Sequence, residues 1–322
     1  MNPQSPISNL QSREWLEADG HGGFASGTFS GIRTRRYHAL LLTATTPPTG
    51  RIALVNGFEA WIETPHGRFA LTSQRYAPDV IHPDGALRIE KFSVEPWPTW
   101  QFRFEDGTTL IQEVFIAREA GVTALTWRLT SDQKNVRLFV RPLMSGRDYH
   151  SLHKENSTFN FTPTPNGEKV LWRPYNGLPG IYAMYSSNGH YAHEPVWYRN
   201  FLYAEELARG LDATEDLASP GVFEWDLSAG EAVWLLTTTD SPASAICPSN
   251  DSSIAFATTK NSAAWNFLPV STVPPMLVLS TVGTAQPSWR VIRGSPIGGG
   301  IHSSRCGGSA SPPDGLPTRA TF

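Results

Sequence analysis

Two cysteines in 322 residues, Cys247 and Cys306, are too few for a disulfide framework, and a reducing compartment suits the chain. Charge is scarce as well. Only 17% of residues are Asp, Glu, Lys or Arg, and the formal net charge is -3. A sequence pI near 6.3 excludes the basic surface that nucleic acid or an anionic membrane demands. Long hydrophobic runs are missing too: "HALLL" and "PPMLVLSTV" fall far short of a bilayer span. The opening "MNPQSPISNLQSREW" lacks the basic cluster and apolar core of a signal peptide, so the expected setting is the cytoplasm.

Glycine, proline and tryptophan are plentiful, at 27, 26 and 11 residues. Together they indicate a turn-rich β protein with a large aromatic core, because each tryptophan buries a large apolar area. Flat aromatic faces also grip sugars, which is the second reading of the same residues. Period-two alternation recurs from about residue 50 to 240. Trp100, Phe102 and Phe104 alternate with Gln101, Arg103 and Glu105, then Asp106-Gly107 supplies the φ > 0 turn of a tight hairpin. Val136, Leu138 and Val140 alternate in the same way, and His66-Gly67 and Asn166-Gly167 mark further turns. The fold class predicted is all-β: a large antiparallel sandwich over residues 1–255. "RNFLYAEELARGLD" fits one short helix ended by Gly210, or a strand and a turn.

Near residue 255 the chain changes character. From Asn261 onward there is no lysine or glutamate, and Gly, Ser and Pro dominate. Residues 256–322 are therefore expected to form a disordered tail.

The stretch "ADGHGGFASGTFSGIRTRRYHALLL" holds five glycines and three arginines ahead of an aliphatic run. It has no Lys-Ser/Thr ending and no βαβ surround, so a phosphate loop is rejected. Alternation places Arg33 and Arg35 on one strand face and Arg36 on the other, before a buried strand at Leu40–Leu42. Two readings stay open for this segment. It is a solvated edge, or Arg36, Tyr37 and His38 sit at a cleft that grips sugar hydroxyls or a partner's carboxylates. His150 and His153 have the spacing of a metal pair on a helix but no third ligand, so a structural role is expected and no metal. Glu205, Glu206, Glu215 and Asp216 raise the possibility of a glycosidase carboxylate pair; solvated or loop-capping roles are expected instead. No nucleophile elbow or activated cysteine is present, and no cofactor is expected.

Several separated stretches, in order, resemble the N-terminal domain of bacterial and archaeal-type glycogen debranching enzymes, the amylo-α-1,6-glucosidases. They are "EWLEADGHGGFASGTFSGIRTRRYHALLL", "RPLMSGRDYHSLHKEN" and "WYRNFLYAEELARGLDATEDLASPGVF". The likeness covers residues 10 to 245. Asp19 stands where the family usually has Asn, and Ala39 where it usually has Gly. The resemblance implies a supersandwich-like β-domain joined to an (α/α) barrel that carries the catalytic carboxylates and hydrolyses α-1,6 branch linkages. It implies an α-glucan (glycogen or limit dextrin) and the intramolecular barrel as partners, with no catalytic residue in this domain. Arg35, Arg36, Tyr37 and His38, then Arg147, Asp148, Tyr149 and His150, are the candidates for substrate binding or the domain interface.

The tail bears on where that barrel is expected. When the last base of each codon is grouped with the first two of the next, Ser288 to Pro313 can be reread as MAGYPWFTDWGRDTFIALRGLSLAT. Only the first base of each regrouped codon is chosen. That string resembles the family's segment at the entry to the barrel, so a frameshift between about residues 250 and 272 is expected.

Overall fold

The computed structural model describes residues 13–239. The expected tail, residues 256–322, lies outside them. Strand β1 spans Glu14–Ala18, β2 Phe24–Thr28, β3 Ala39–Thr46, β4 Thr49–Thr64, β5 Gly67–Ala70, β6 Gln74–Tyr76 and β7 Val80–His82. Then follow β8 Ile89–Ser93, β9 Thr99–Arg103, β10 Thr109–Ala117, β11 Val122–Leu129 and β12 Arg137–Asp148. The last group is β13 Pro163–Asn166, β14 Lys169–Trp172, β15 Ile181–Tyr185, β16 Gly189–Leu202, β17 Thr214–Asp226 and β18 Ala232–Thr237.

These strands form two antiparallel sheets. One has ten strands, ordered β1-β2-β3-β4-β12-β17-β16-β6-β7, with β5 paired to β4. The other has eight, ordered β13-β14-β15-β18-β11-β10-β9-β8. The predicted sandwich is what forms. Among the described residues no helix is long and apolar enough to cross a membrane.

Local chemistry explains the hairpins. Between β9 and β10, Gly107 takes φ +84°, and Asp106 Oδ1 accepts the Thr108 amide at 2.9 Å. Phe104 N then donates to Thr108 O at 2.9 Å and closes the loop. The alternation upstream buries Trp100 and Phe102 while Gln101 and Arg103 face outward. Gly67 and Gly167 lie at the β4–β5 and β13–β14 turns, as their dipeptides predict.

The core lies between the sheets. Phe58, Leu138, Val140, Phe223 and Trp225 of the larger sheet meet Leu125, Trp127, Trp172, Trp234 and Leu236 of the smaller. Rings touch across the gap: Trp127 is 6.0 Å from Trp225, and Phe223 is 5.6 Å from Trp234. Of the nine tryptophans among the described residues, seven are buried. Each such ring removes roughly 150–250 Å² from water, about 4–6 kcal/mol as an upper bound. The tryptophans are chiefly core.

The stretch from Arg199 onward combines its two readings. Strand β16 runs to Leu202, and a single turn of helix, α1 (Ala204–Ala208), follows it. Gly210, at φ +71°, leads the chain away.

Candidate functional site

The segment from Phe29 to His38 is not a strand, which corrects the alternation expected for its arginines. It is a run of turns and irregular backbone with Gly31 at φ +74°, and each arginine meets different partners. Arg33 is buried with its guanidinium 4.7 Å from the centre of the Phe201 ring. Arg35 pairs with Glu14 at 2.5 Å and Glu205 at 3.4 Å. The buried strand predicted next does form, with Leu40, Leu41 and Leu42 all buried in β3.

His38 is buried and accepts the Thr34 amide at Nδ1, 3.1 Å away, so its ring proton sits on Nε2. That Nε2 lies 3.5 Å from Glu14 Oε1. The His38 contact, opposed by partial burial and helped by Arg35, holds the Glu14 carboxyl down to about 2.

Arg36 ties three distant segments together. Its Nη2 is 3.3 Å from Glu206 Oε2, and its backbone amide donates to Glu206 Oε1 at 3.2 Å. Its Nη1 donates to His150 O at 2.6 Å, and Nη2 to Asp212 O at 3.1 Å. Beside it, the Tyr37 hydroxyl lies 3.1 Å from His150 Nδ1. The Tyr37 and Tyr149 rings are 5.5 Å apart, and Tyr149 and His150 are 3.9 Å apart. Asp148 caps the turn, accepting the His150 amide at Oδ1.

Below this lies a buried carboxylate. Glu215, fully enclosed in β17, accepts from Arg147 Nε and from the Tyr203 hydroxyl. It also takes the His153 amide at 2.9 Å. Arg147 Nη2 reaches Arg36 O at 2.7 Å and so joins the two layers. Burial, with Glu215 alongside, pushes the Tyr203 phenol well above its ordinary range.

His153 is buried and not on a helix. Its Nδ1–H donates to Asp216 O at 2.9 Å, and Nε2 accepts from the Tyr175 hydroxyl at 2.6 Å. Burial lowers its pKa, so the ring is neutral at pH 7. His150 is exposed and turned to Tyr37. The two histidines are therefore bound to different partners.

The four acidic residues divide. Glu205 is part-exposed, and Asp216 caps loops by accepting the Asn200 and Glu155 amides. Glu206 and Glu215 are fully buried in ion pairs, which overturns a solvated role for them; the loop-capping alternative holds in part, since Glu206 Oε1 accepts the Arg36 amide and Glu215 Oε1 the His153 amide. All eight candidates, Arg35 to His38 and Arg147 to His150, come together in one cluster. Sequence reasoning missed Glu14, Tyr203 and Arg33 as members of it. The only signal available was an excess of arginines in a chain with little charge.

Chemically the cluster is closed inside and open outside. Most guanidinium, carboxylate and carbonyl groups satisfy one another internally, although Arg33 Nε and Nη2 and Arg36 Nε are buried without a hydrogen-bond partner among the described residues. The part-exposed Tyr37 and Tyr149 rings and the exposed His150 are the outward ring groups, beside the exposed carboxylates of Glu14 and Asp148.

The fold and this ion-paired end define an antiparallel two-sheet sandwich domain without a free carboxylate pair in the cluster. Residues 13–234 match the family described as glycogen debranching enzyme N terminal, and the chain belongs to that family. A solved structure similar to it is a bacterial glucoamylase complexed with acarbose. The identity is 11%, covering 80% of this chain and 35% of that one, with a TM-score of 0.35. The chain thus spans about a third of that protein. A comparison with curated proteins finds no match. The two departures from the family pattern are accommodated. Asp19 Oδ1 accepts the His21 and Gly23 amides, as an Asn oxygen would, and Ala39 fits fully buried opposite Ser26.

Proposed function

We propose that this domain binds α-glucan and braces an (α/α) barrel, which carries out hydrolysis of α-1,6 branch linkages in glycogen breakdown. The observation that carries the reading is the family match over residues 13–234. The state of the carboxylates supports the division of labour. A hydrolase of this kind needs one carboxyl to give a proton and another to accept one or attack. Here the oxygens of Glu206 and Glu215 are taken up by Arg36, Arg147 and Tyr203, so neither is placed to meet a glycosidic oxygen. The outward groups of the cluster, Tyr37, Tyr149 and His150, suit a sugar face or a neighbouring domain. On this reading the frame of the barrel segment is displaced from about residue 256 onward, and the protein works in the cytoplasm.

Affinity electrophoresis in glycogen tests the binding. The purified 322-residue chain is expected to be retarded relative to an inert protein of similar size. Unchanged mobility at high glycogen contradicts the reading. A chain that self-associates in a salt-insensitive way and ignores glycogen belongs instead to a purely structural sandwich.

A further inference from the structure

A cavity of about 250 Å³ lies where the turn after β1 meets β3 and β11 and the residues just beyond β10 and β18. It is apart from the Arg36–Glu215 cluster and shares no residue with it. Its polar lining includes Asp19, His21, Thr43, Thr238 and Thr239, while Thr123, also on the wall, donates its hydroxyl to Leu40 O at 2.7 Å; Phe24 supplies a ring, and Leu41, Leu42 and Ile116 are among the apolar residues that border it. The turn that carries Asp19 and His21 is built in advance. Asp19 Oδ1 holds the His21 amide at 2.7 Å and the Gly23 amide at 2.9 Å, and Arg51 Nε donates to Gly22 O at 2.7 Å. Among the described residues Asp19 Oδ2 takes no hydrogen bond.

The lining selects a ligand class. No lysine or arginine borders the cavity, so an anion has no counter-charge. A single carboxylate does not make a divalent-cation site, which needs six or more oxygens. The volume is that of roughly eight waters at about 30 Å³ each, which suits one hexose ring and not several. A carboxylate, an imidazole and threonine hydroxyls around an aromatic and aliphatic wall match a pyranose, with its hydroxyl rim and apolar ring faces.

We infer that this cavity is a glucosyl subsite, which takes one terminal residue of an α-glucan chain through Asp19, His21 and Thr43. The inference rests on the proposed glucan binding and adds where one sugar unit sits. It also explains the glycine-rich turn, which fixes Asp19 and His21 at the rim.

Proton NMR of the histidine rings in the full 322-residue chain tests it, with maltose as the probe and H21Q and H66Q to assign signals. The His21 ring signals are expected to shift saturably while those of His66, exposed at the β4–β5 turn, stay in place. Filling the cavity with Thr43→Trp should weaken glycogen retardation at least fivefold, and Thr238→Val by a smaller factor in a chain whose melting is unchanged. Should T43W fail to fold, the wild-type His21 titration and T238V still decide. If the wild-type chain is retarded by glycogen but His21 is unmoved, or T238V and T43W bind as the parent does, the subsite is wrong and the proposed function stands. Absence of retardation in the parent chain overturns both.

Discussion

Arg147 of β12 and Glu215 of β17 form a buried ion pair: Arg147 Nε donates to Glu215 Oε1, and Nη2 to Oε2 at 3.2 Å. Neither side chain is more than 4% exposed. The pair joins neighbouring strands of the larger sheet and is the floor on which Arg36, Tyr203 and His153 rest.

Removing one partner strands the other. Glu215→Gln or Arg147→Met should lower unfolding stability by about 3–5 kcal/mol, read from urea midpoints by tryptophan fluorescence. The double variant Arg147→Met/Glu215→Gln should lose less than the sum of the single losses, because no uncompensated charge remains. Arg147→Lys is expected to fall between, since an ammonium cannot make the forked contact.

Glu14 gives the domain an acid limb. Its carboxyl is held at about 2, below the ordinary 4.5, by His38 and Arg35. Between those values the unfolded chain binds more protons than the folded one, so stability rises with pH across that window. The contribution is complete above about 4.5 and disappears as pH falls through about 2. Glu14→Gln should therefore be less stable than the parent at pH 7 and equal to it near pH 2. The side chain is 39% exposed, so the difference at pH 7 should not exceed about 1 kcal/mol. Urea titrations at stepped pH read it directly.

Gly22 has φ +100°, and a Cβ there would stand 2.7 Å from the Pro48 carbonyl oxygen. Gly22→Ala should cost about 1–3 kcal/mol from the conformation alone, visible as a lower melting temperature. Gly107→Ala shares the positive φ but meets nothing within 4 Å, so its cost should be smaller.

What the sequence discloses here is local. Alternation through Trp100–Phe104 and Val136–Val140, and the Asp106-Gly107 turn, depend on neighbours a few residues away, and they define the hairpins and the sandwich. The 29–38 segment is misleading because three arginines within four positions mimic alternation, whereas Gly31 turns the backbone out of register. The ion pairs are not local. Arg36 meets the carbonyls of His150 and Asp212 from 114 and 176 residues away, and Arg147 meets Glu215 across 68. Composition alone assigns Glu206 and Glu215 to solvent or to loop caps, since carboxylates are rarely buried unless paired. The pairing appears only once the chain is folded.

The frameshift is checked in the DNA. Sequenced codons from Ser288 to Pro313 should regroup, one base earlier, into MAGYPWFTDWGRDTFIALRGLSLAT. First bases that give other residues at most of these positions would falsify the shift.

Release of glucose from a branched limit dextrin by the purified 322-residue chain tests the central claim most directly. The two buried carboxylates are architectural on this account, so glucose should stay at the level of the enzyme-free blank. Sustained release by the parent chain that disappears in Glu215→Gln or Glu206→Gln variants that remain folded would place hydrolysis within the sandwich and contradict the account.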